Sequence, residues 1–199
     1  MNFTYDTERL TLKILDGSYA RAVLDFYLRN RELFEKNEPP RQEGFYTCQH
    51  QKAILTAEYN MAVHGTQFRF WIFRKDTSEL IGTVSFRSIT RMYYQSCKLG
   101  YKLGREHWGQ GYMTEALREG VRIAFDDLKL HRITSEVMPE NDRSIRLMER
   151  LGFVNEGIER KVYFINGSWE DHILFSLISS EAHSFDPESA PPFLPGKAP

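Results

Sequence analysis

The sequence predicts one mixed α/β domain of the α+β type, in which a mixed, mostly antiparallel sheet of about seven strands packs against about four helices. Three observations lead to this fold class. Leu10, Leu12 and Ile14 alternate with polar residues, which is the period of a half-buried strand. Apolar residues between 113 and 128 recur at helical spacing, so the chain contains both kinds of element. Asn166-Gly167, between two β-prone segments, is a strong signal for an antiparallel hairpin.

Two helices are predicted after the first strand. Asp16 is placed to cap the first, over about 18–31, and the prolines at 39 and 40 keep the next segment non-helical. The second helix ends at Gly65. Its apolar positions, at helical spacing, are Ala53, Ile54, Ala57 and Met61.

Three strands follow these helices. Segments 68–72 and 80–86 are alternating or apolar and are separated by the polar turn 75–78, which predicts an antiparallel hairpin. A third strand covers about 96–103 and leads through a glycine-containing turn into the helix that ends near 128.

The last part of the chain continues the sheet. Strand 133–137 is expected to lie beside strand 96–103. Asn141 is placed to cap a helix that Gly152 ends. Two antiparallel strands, over 162–165 and 172–178, finish the sheet, and the second is expected to begin a few residues after the turn.

Composition excludes several functional classes. The chain has 26 basic and 27 acidic residues and a formal net charge of −1, so we expect no direct nucleic-acid binding. Cys48 and Cys97 have neither metal-ligand spacing nor a disulfide framework, and we expect no metal. No apolar run approaches the ~20 residues of a membrane-spanning helix, and the first residues lack a signal peptide's basic and apolar regions. These features favour a cytoplasmic protein without membrane contact.

The segment 181–199 is rich in proline and in small and polar residues. Such a composition cannot bury enough surface to offset chain entropy, so we expect a disordered tail. Residues 1–180 then form the domain.

The turn before the long helix predicts an anion-binding site. Gly109 and Gly111 lack Cβ atoms, so a bulky ligand can come within hydrogen-bonding distance of the main chain. The first amides of a helix have no intrahelical partners, and the helix dipole favours a negative group such as a pyrophosphate. Alternatively, the two glycines merely cap a turn. Neither a P-loop nor a dinucleotide fingerprint fits, because a Gly-Lys-Ser/Thr and a third glycine are both missing.

The order of elements, together with two motifs, resembles the GNAT acetyltransferase superfamily over about residues 7–179. One motif is Trp108-Gly109-Gln110-Gly111-Tyr112-Met113-Thr114-Glu115-Ala116-Leu117, and the other is Asn141-x-x-Ser144 followed by Leu151-Gly152-Phe153. With Leu99-Gly100-Tyr101 and the closing segment 166–172, they are similar to the ribosomal-protein-alanine N-acetyltransferases. The same signature occurs in family members that act on other amines.

The resemblance implies a GNAT fold, with the sheet splayed between two parallel central strands, and acetyl-CoA as the co-substrate. Main-chain amides around Trp108 to Thr114 would hold its pyrophosphate, and the main chain of 101–103 and the Asn141 side chain would hold its pantetheine arm. Asn141 could instead be a plain helix cap, and Tyr101 a packing residue. The implied cofactor-binding residues are Tyr101, Lys102, Leu103, Trp108, Gly109, Gln110, Gly111, Tyr112, Met113, Thr114 and Asn141.

Catalysis of acetyl transfer to an amine requires a proton for the departing thiolate. Many GNAT enzymes carry a tyrosine one turn into the helix that begins at the pantetheine-binding asparagine, but that position is Met148 here, and a thioether has no proton to give. In the alanine subgroup, a serine at the place of Ser144 is thought to meet the sulfur. Ser144 is therefore the first candidate donor, and Tyr163 or a bound water is the next. Ser144 could instead serve only to cap the helix.

The acceptor half of the site is less defined by the sequence. Glu35 and Glu38 are candidates for holding an ammonium group, although the pattern favours solvated surface residues for both. Tyr163 or Trp169 could line the path of the acceptor. We assign no general base, because the candidate histidines have no orienting partner in the sequence. These histidines are His107, His131 and His172.

The leading interpretation is an acetyl-CoA-dependent N-acetyltransferase in which a primary amine attacks directly in a ternary complex. The expected acceptor is the N-terminal α-amine of an alanine in a ribosomal protein. Its pKa of about 7.7–8.0, against about 10.4 for lysine, allows a weak base or a water chain to suffice. The alternatives are a small amine (polyamine, aminoglycoside or amino acid) as acceptor, or a non-catalytic acetyl-CoA-binding regulator. The protein is expected to be a monomer or a homodimer.

Overall fold

The computed structural model describes residues 2–39 and 41–179, which form one eight-stranded sheet and five α-helices. The predicted tail, 181–199, lies outside the described residues. The strands are β1 (Thr4–Asp6), β2 (Leu10–Lys13), β3 (Phe68–Arg74), β4 (Leu80–Thr90), β5 (Ser96–Leu103), β6 (Arg132–Val137), β7 (Val154–Ile165) and β8 (Ser168–Ile178). The helices are α1 (Ala20–Arg29), α2 (Arg31–Asn37), α3 (Cys48–Val63), α4 (Tyr112–Arg122) and α5 (Asp142–Arg150).

The sheet has the order β1-β2-β3-β4-β5-β6-β8-β7 and is antiparallel except between β5 and β6. This confirms the predicted neighbours. Pairing of β5 with β6 stops at Lys98 opposite Thr134, although β5 continues along β4 to Leu103 and β6 continues along β8 to Val137. The two parallel strands therefore diverge. We call the space between 99–103 of β5 and 135–137 of β6 the β5–β6 gap.

Both faces of the sheet are covered. One buried cluster joins Phe70 and Leu99 of the sheet to Leu117 of α4 and Met148 of α5. The other cluster joins Trp71 to residues of α1, α2 and α3. Because strand side chains alternate, residues 98, 102 and 136 point away from the α4–α5 side and towards the second face.

The strands differ from the prediction at both ends of the sheet. The eighth strand, β1, was not predicted, because three residues are too short to show a periodic pattern. The prediction that β8 begins a few residues after the turn is wrong, since β8 starts at Ser168. Asn166 (φ +50°) and Gly167 (φ +91°) form a two-residue turn. β7 also begins earlier than predicted, at Val154.

The predicted first helix, over about 18–31, is confirmed as α1, which ends at Arg29. A further helix, α2, follows from Arg31 to Asn37 and was not predicted. Asn30 lies at the break, where its amide nitrogen donates to the Phe26 carbonyl (3.0 Å) and its amide oxygen accepts from the Arg105 amide (3.1 Å). Arg105 lies 75 residues further along the chain than Asn30, so no pattern in the sequence around Asn30 indicates the break between α1 and α2.

Two further helices differ in detail. The predicted apolar face of α3 is wrong, since Ala53, Ala57 and Met61 are exposed, while Gln51 and Leu55 face the core. The polar residue Gln51 on the buried face hides the helical pattern. Its Nε2 donates to the carbonyl of residue 45 (2.6 Å), while its Oε1 is enclosed without a partner among the described residues. After α4, the chain makes a π-helical turn over Ile123–Asp127. Among the described residues, no helix has the length and apolar character needed to cross a membrane.

Candidate active site

The glycine-containing turn before α4 is open to a ligand. Gly109 (φ +74°) and Gly111 (φ +81°) adopt the left-handed conformation that glycine tolerates. Gly111 caps α4 without a side-chain hydrogen bond, so the first amides of the helix are available. A Cβ at Gly109 would meet no protein atom within 4 Å, so the main chain is accessible there. The turn therefore combines accessible amides with the positive end of a helix dipole.

Contacts on both sides hold this turn in place. Trp108 Nε1 donates to the last carbonyl of β5 (3.1 Å), and the Arg143 guanidinium lies 3.6 Å from the centroid of the Trp108 ring. On the other side, Arg9 donates through Nη1 to the Gln110 carbonyl (3.0 Å) and pairs through Nε with Glu115 Oε2 (2.7 Å). The turn is thus tied to β5, to α5 and to the segment before β2.

The remaining predicted residues of this turn divide between the core and a groove. Tyr112 and Met113 are buried, so their side chains pack in the protein. Thr114 lines a groove of about 770 Å³ together with Arg118 and Arg150. Neither of these arginines forms an ion pair with a residue of the described ranges. Four arginines and three glutamates line this groove, so a small net positive charge adjoins the turn.

Tyr101 and Ser144 meet at the β5–β6 gap. The Tyr101 hydroxyl is enclosed and makes no hydrogen bond with any described residue. Burial raises the pKa of Tyr101 to about 12, and the neighbouring Ser144 side chain acts in the opposite direction. An enclosed hydroxyl without a partner costs about 1–3 kcal/mol. The position of this hydroxyl therefore suits a ligand that offers it a hydrogen bond.

Asn141 is a helix cap, one of the two roles that the sequence left open. Its side-chain oxygen accepts from the Ser144 amide (3.2 Å) at the start of α5, and its NH₂ group is a further donor. This capping hydrogen bond involves the backbone amide of Ser144 and not its hydroxyl group. Met148, one turn later, is 0 % exposed and belongs to the core.

The opposite side of the gap carries a polar network. Lys98 Nζ donates to Glu136, whose Oε2 accepts from the Tyr163 hydroxyl (2.8 Å). Burial and this carboxylate raise the pKa of Tyr163. The carboxylates of Glu136 and Glu159 both raise the pKa of Lys98. Oε2 of Glu159 is enclosed and has no hydrogen-bond partner among the described residues. The Tyr163 ring packs on the buried His172, with 4.8 Å between the ring centroids.

The two candidate carboxylates near α2 both accept hydrogen bonds from other side chains. Glu35 accepts from the Tyr46 hydroxyl (2.8 Å) and from Arg31 Nε (2.9 Å), and these bonds lower the pKa of Glu35. Glu38 accepts from Lys102 Nζ (2.6 Å). Burial lowers the pKa of Lys102 to about 8, while Glu38 partly opposes this shift.

The other candidates lie away from the gap. His131 is exposed at the start of β6, the end of that strand farther from the gap. Trp169 is 57 % exposed near the β7–β8 turn. His107 is buried and faces the carboxylates of Glu79 and Glu106.

Three residues around the gap were missed by the sequence analysis. Glu136 lies on the polar face of β6, in which buried and less buried residues alternate. This alternation could have shown in advance which face of the sheet carries Glu136. Glu159 lies in the part of β7 that was not predicted as strand, so its orientation had no signal. Arg143 contacts Trp108 across the fold, and no local pattern indicates such a contact.

Known proteins share this architecture. A family model described as Acetyltransferase (GNAT) domain matches residues 9–154. The chain is 39% identical over 167 residues to Probable N-acetyltransferase YjcK of Bacillus subtilis (strain 168), covering 84% of this chain and 92% of the relative. It is 33% identical over 175 residues to the [Ribosomal protein uS5]-alanine N-acetyltransferase of Escherichia coli (strain K12), covering 88% and 90%. Spermidine N(1)-acetyltransferase of Vibrio cholerae is 30% identical over 113 residues, covering 57% and 65%.

Solved structures agree with these matches. The ribosomal-protein-S5-alanine acetyltransferase from Vibrio fischeri superposes with a TM-score of 0.86 at 33% identity, covering 90% of this chain and 98% of that one. Mycobacterium smegmatis RimJ in complex with CoA-disulfide superposes with a TM-score of 0.81 at 25% identity, covering 87% and 84%. Because the family model and these relatives match most of the chain, the protein belongs to the GNAT acetyltransferase family.

Proposed function

We propose that this N-acetyltransferase transfers the acetyl group of acetyl-CoA to the α-amine of an N-terminal alanine in a ribosomal protein. The observation that carries the proposal is the β5–β6 gap, which has Tyr101 and Ser144 on one side and Glu136 and Glu159 on the other. Such a gap allows a donor and an acceptor to approach from opposite faces of the sheet. The names of the Escherichia coli relative and the Vibrio fischeri structure support this choice of acceptor.

Acetyl-CoA fits the residues on the α4–α5 side. The amides of 108–114 would hold the pyrophosphate, with Arg118 and Arg150 adding positive charge in the adjoining groove. The unpaired edge of 101–103 and the amide of Asn141 would hold the pantetheine arm. Acetyl-CoA supplies an acetyl group activated as a thioester. The CoA bound to the RimJ structure supports this part of the proposal.

In this proposal, Ser144 passes a proton to the departing thiolate. Its hydroxyl lies beside that of Tyr101, and a pKa of about 12 keeps Tyr101 protonated at neutral pH. As the Ser144 proton moves to sulfur, a proton released by the attacking amine would replace it, and the Tyr101 hydroxyl can donate a hydrogen bond that stabilises the serine oxygen during the transfer. Tyr163 is the less suitable donor, because its hydroxyl proton already bonds Glu136.

The opposite face has the charge that an amine requires. Oε2 of Glu159 is enclosed and has no hydrogen-bond partner among the described residues, whereas Glu136 accepts from Lys98 and Tyr163, and Arg87 adds a second cation nearby. An incoming ammonium would supply the hydrogen-bond donor that Glu159 lacks. Release of one proton from an α-amine at pH 7 costs about 1–1.4 kcal/mol, against about 4.6 kcal/mol for lysine. An N-terminal amine therefore needs no strongly basic side chain here.

A small polyamine is the second candidate acceptor. The partial match to a spermidine acetyltransferase favours it, and the same unpaired carboxylate would suit a polyamine cation. A polyamine has amines that are as basic as lysine, so this alternative requires an effective base on the acceptor face.

The deciding experiment measures kcat/KM with labelled acetyl-CoA and three acceptors. These are a peptide that begins with alanine and contains lysine, the same peptide with a blocked N-terminus, and spermidine. We expect the free peptide to exceed the other two by about 100-fold or more, since only it offers an α-amine. Equal turnover of the blocked peptide would contradict α-amine specificity, and a higher value for spermidine would favour the second candidate.

A further inference from the structure

A second group of ligand-type side chains lies outside the β5–β6 gap. Glu79 ends the β3–β4 turn, and Glu106 and His107 lie in the short 3₁₀ turn that follows β5. His107 Nε2 is 3.6 Å from Glu79 Oε1 and 3.6 Å from Glu106 Oε1. The ligand atoms of the three residues all lie within 4.8 Å of one another. The fold thus brings one imidazole nitrogen and two carboxylates to one place.

The imidazole nitrogen of this cluster lacks a partner. His107 is 5 % exposed, and its enclosed Nε2 makes no hydrogen bond with any residue in 2–39 or 41–179. Its distance to each carboxylate exceeds the roughly 2.7–3.2 Å of an N–H···O hydrogen bond. Buried polar atoms are normally paired, so a buried nitrogen aimed at two carboxylates points to a ligand between them.

The spacing suits a metal ion. Zinc binds histidine nitrogen at about 2.0–2.1 Å and carboxylate oxygen at about 2.0–2.2 Å, so neighbouring ligands of a tetrahedral ion are about 3.3–3.5 Å apart. The two separations of 3.6 Å are close to this value. We propose that Glu79, Glu106 and His107 bind one divalent transition-metal ion, with water completing the coordination. A mixed nitrogen and oxygen ligand set is typical of zinc.

The surroundings give the ion access and a structural role. Glu106 is exposed, so an ion and its waters can enter from solvent. Arg29 Nη2 lies 3.7 Å from Glu79 Oε1 and also contacts the Leu80 carbonyl (3.5 Å), and these long contacts leave it free to turn away. Because His107 directly precedes Trp108, the ion would tie the turn before α4 to the β3–β4 turn.

The test is a zinc titration of the full, metal-stripped chain by calorimetry, with thermal unfolding as a second readout. We expect one Zn²⁺ per chain with a Kd of about 10 μM or tighter and a rise in Tm of several degrees at saturating zinc. Glu106→Gln and His107→Gln should each weaken zinc binding about tenfold or more. His64 is an exposed histidine directly after α3, so His64→Gln is the matched control and should leave the Kd unchanged.

Two results would overturn the proposal. One is the absence of zinc binding to the wild-type chain at about 1 mM Zn²⁺, which would leave the cluster as a histidine between two carboxylates. The other is binding that survives in both variants, which would assign the zinc elsewhere. If His107→Gln does not fold, the titration uses Glu79→Gln instead. This variant should fold, because it exchanges a partly exposed carboxylate for an amide of the same shape. Co²⁺ in place of zinc should give a visible absorption band that Glu106→Gln loses.

Discussion

Gly109→Ala should remove most of the affinity for acetyl-CoA at a small and separable cost in stability. At φ +74°, a side chain with a Cβ costs about 1–2 kcal/mol relative to glycine. No protein atom lies within 4 Å of the position that the Cβ would take, so no clash adds to this strain. For a chain of this size, each kcal/mol lowers Tm by about 2–4 °C. The variant should therefore remain folded at room temperature.

The effect on binding is expected to be larger. The new methyl group would stand in the open space above the amides proposed to hold the pyrophosphate. A charge-assisted hydrogen bond contributes about 1.5–3 kcal/mol, so the loss of one such bond raises Kd by about 10- to 100-fold. Calorimetric titration with acetyl-CoA measures this change directly.

Gly65→Ala is the matched control. Gly65 has φ +71°, also has no neighbour within 4 Å of a Cβ, and lies just after α3. It should show a similar fall in Tm with an unchanged Kd for acetyl-CoA. If Gly109→Ala binds acetyl-CoA as tightly as Gly65→Ala does, the reasoning that assigns the phosphates to this turn is refuted.

Three further predictions concern catalysis, pH and the core. Ser144→Ala should lower kcat by about 10²–10⁴-fold and leave the Kd for acetyl-CoA within a few-fold of wild type. Its stability should hardly change, because the Asn141 cap uses the backbone amide of Ser144. Near-normal turnover would exclude Ser144 as the donor. Burial lowers the pKa of Lys102 from 10.5 to about 8. Between these pH values, the unfolded chain binds more protons than the folded chain does. The free energy of unfolding should therefore rise as the pH increases from about 8 to about 10.5. Lys102→Met should abolish that rise and be about 1–3 kcal/mol more stable at pH 7, as urea unfolding at several pH values would show; an unchanged slope would contradict the assignment. Met148→Ala should cost about 2–5 kcal/mol in the same unfolding assay, because Met148 is fully buried, and a loss below about 1 kcal/mol would show that the site collapses to fill the cavity.

The fold was predictable wherever the pattern is local. The glycine turn before α4, the Asn141 cap with Gly152 at the helix end, and the Asn166-Gly167 hairpin all depend on residues within one turn of each other. Prediction failed where the buried face is polar or a distant contact decides. Gln51 on α3 donates to a backbone carbonyl from the preceding loop, and Asn30, between α1 and α2, accepts from the backbone amide of Arg105.

The same division holds for the candidate site. The amides before α4 follow from the local sequence, because a left-handed glycine and a helix start are properties of neighbouring residues. The Tyr101 hydroxyl beside Ser144 does not follow from it, since β5 and α5 are separated by the whole of α4 and β6.

By itself, the sequence determined the order of the strands and helices apart from β1 and α2, the glycine turn before α4 and the membership of a family that its two motifs resemble. Only the tertiary structure decided where β5 and β6 part, which carboxylate on the opposite face lacks a partner, and that His107 faces Glu79 and Glu106. The physical reason is that periodicity and capping act over a few residues, whereas burial and charge pairing depend on which distant segments meet.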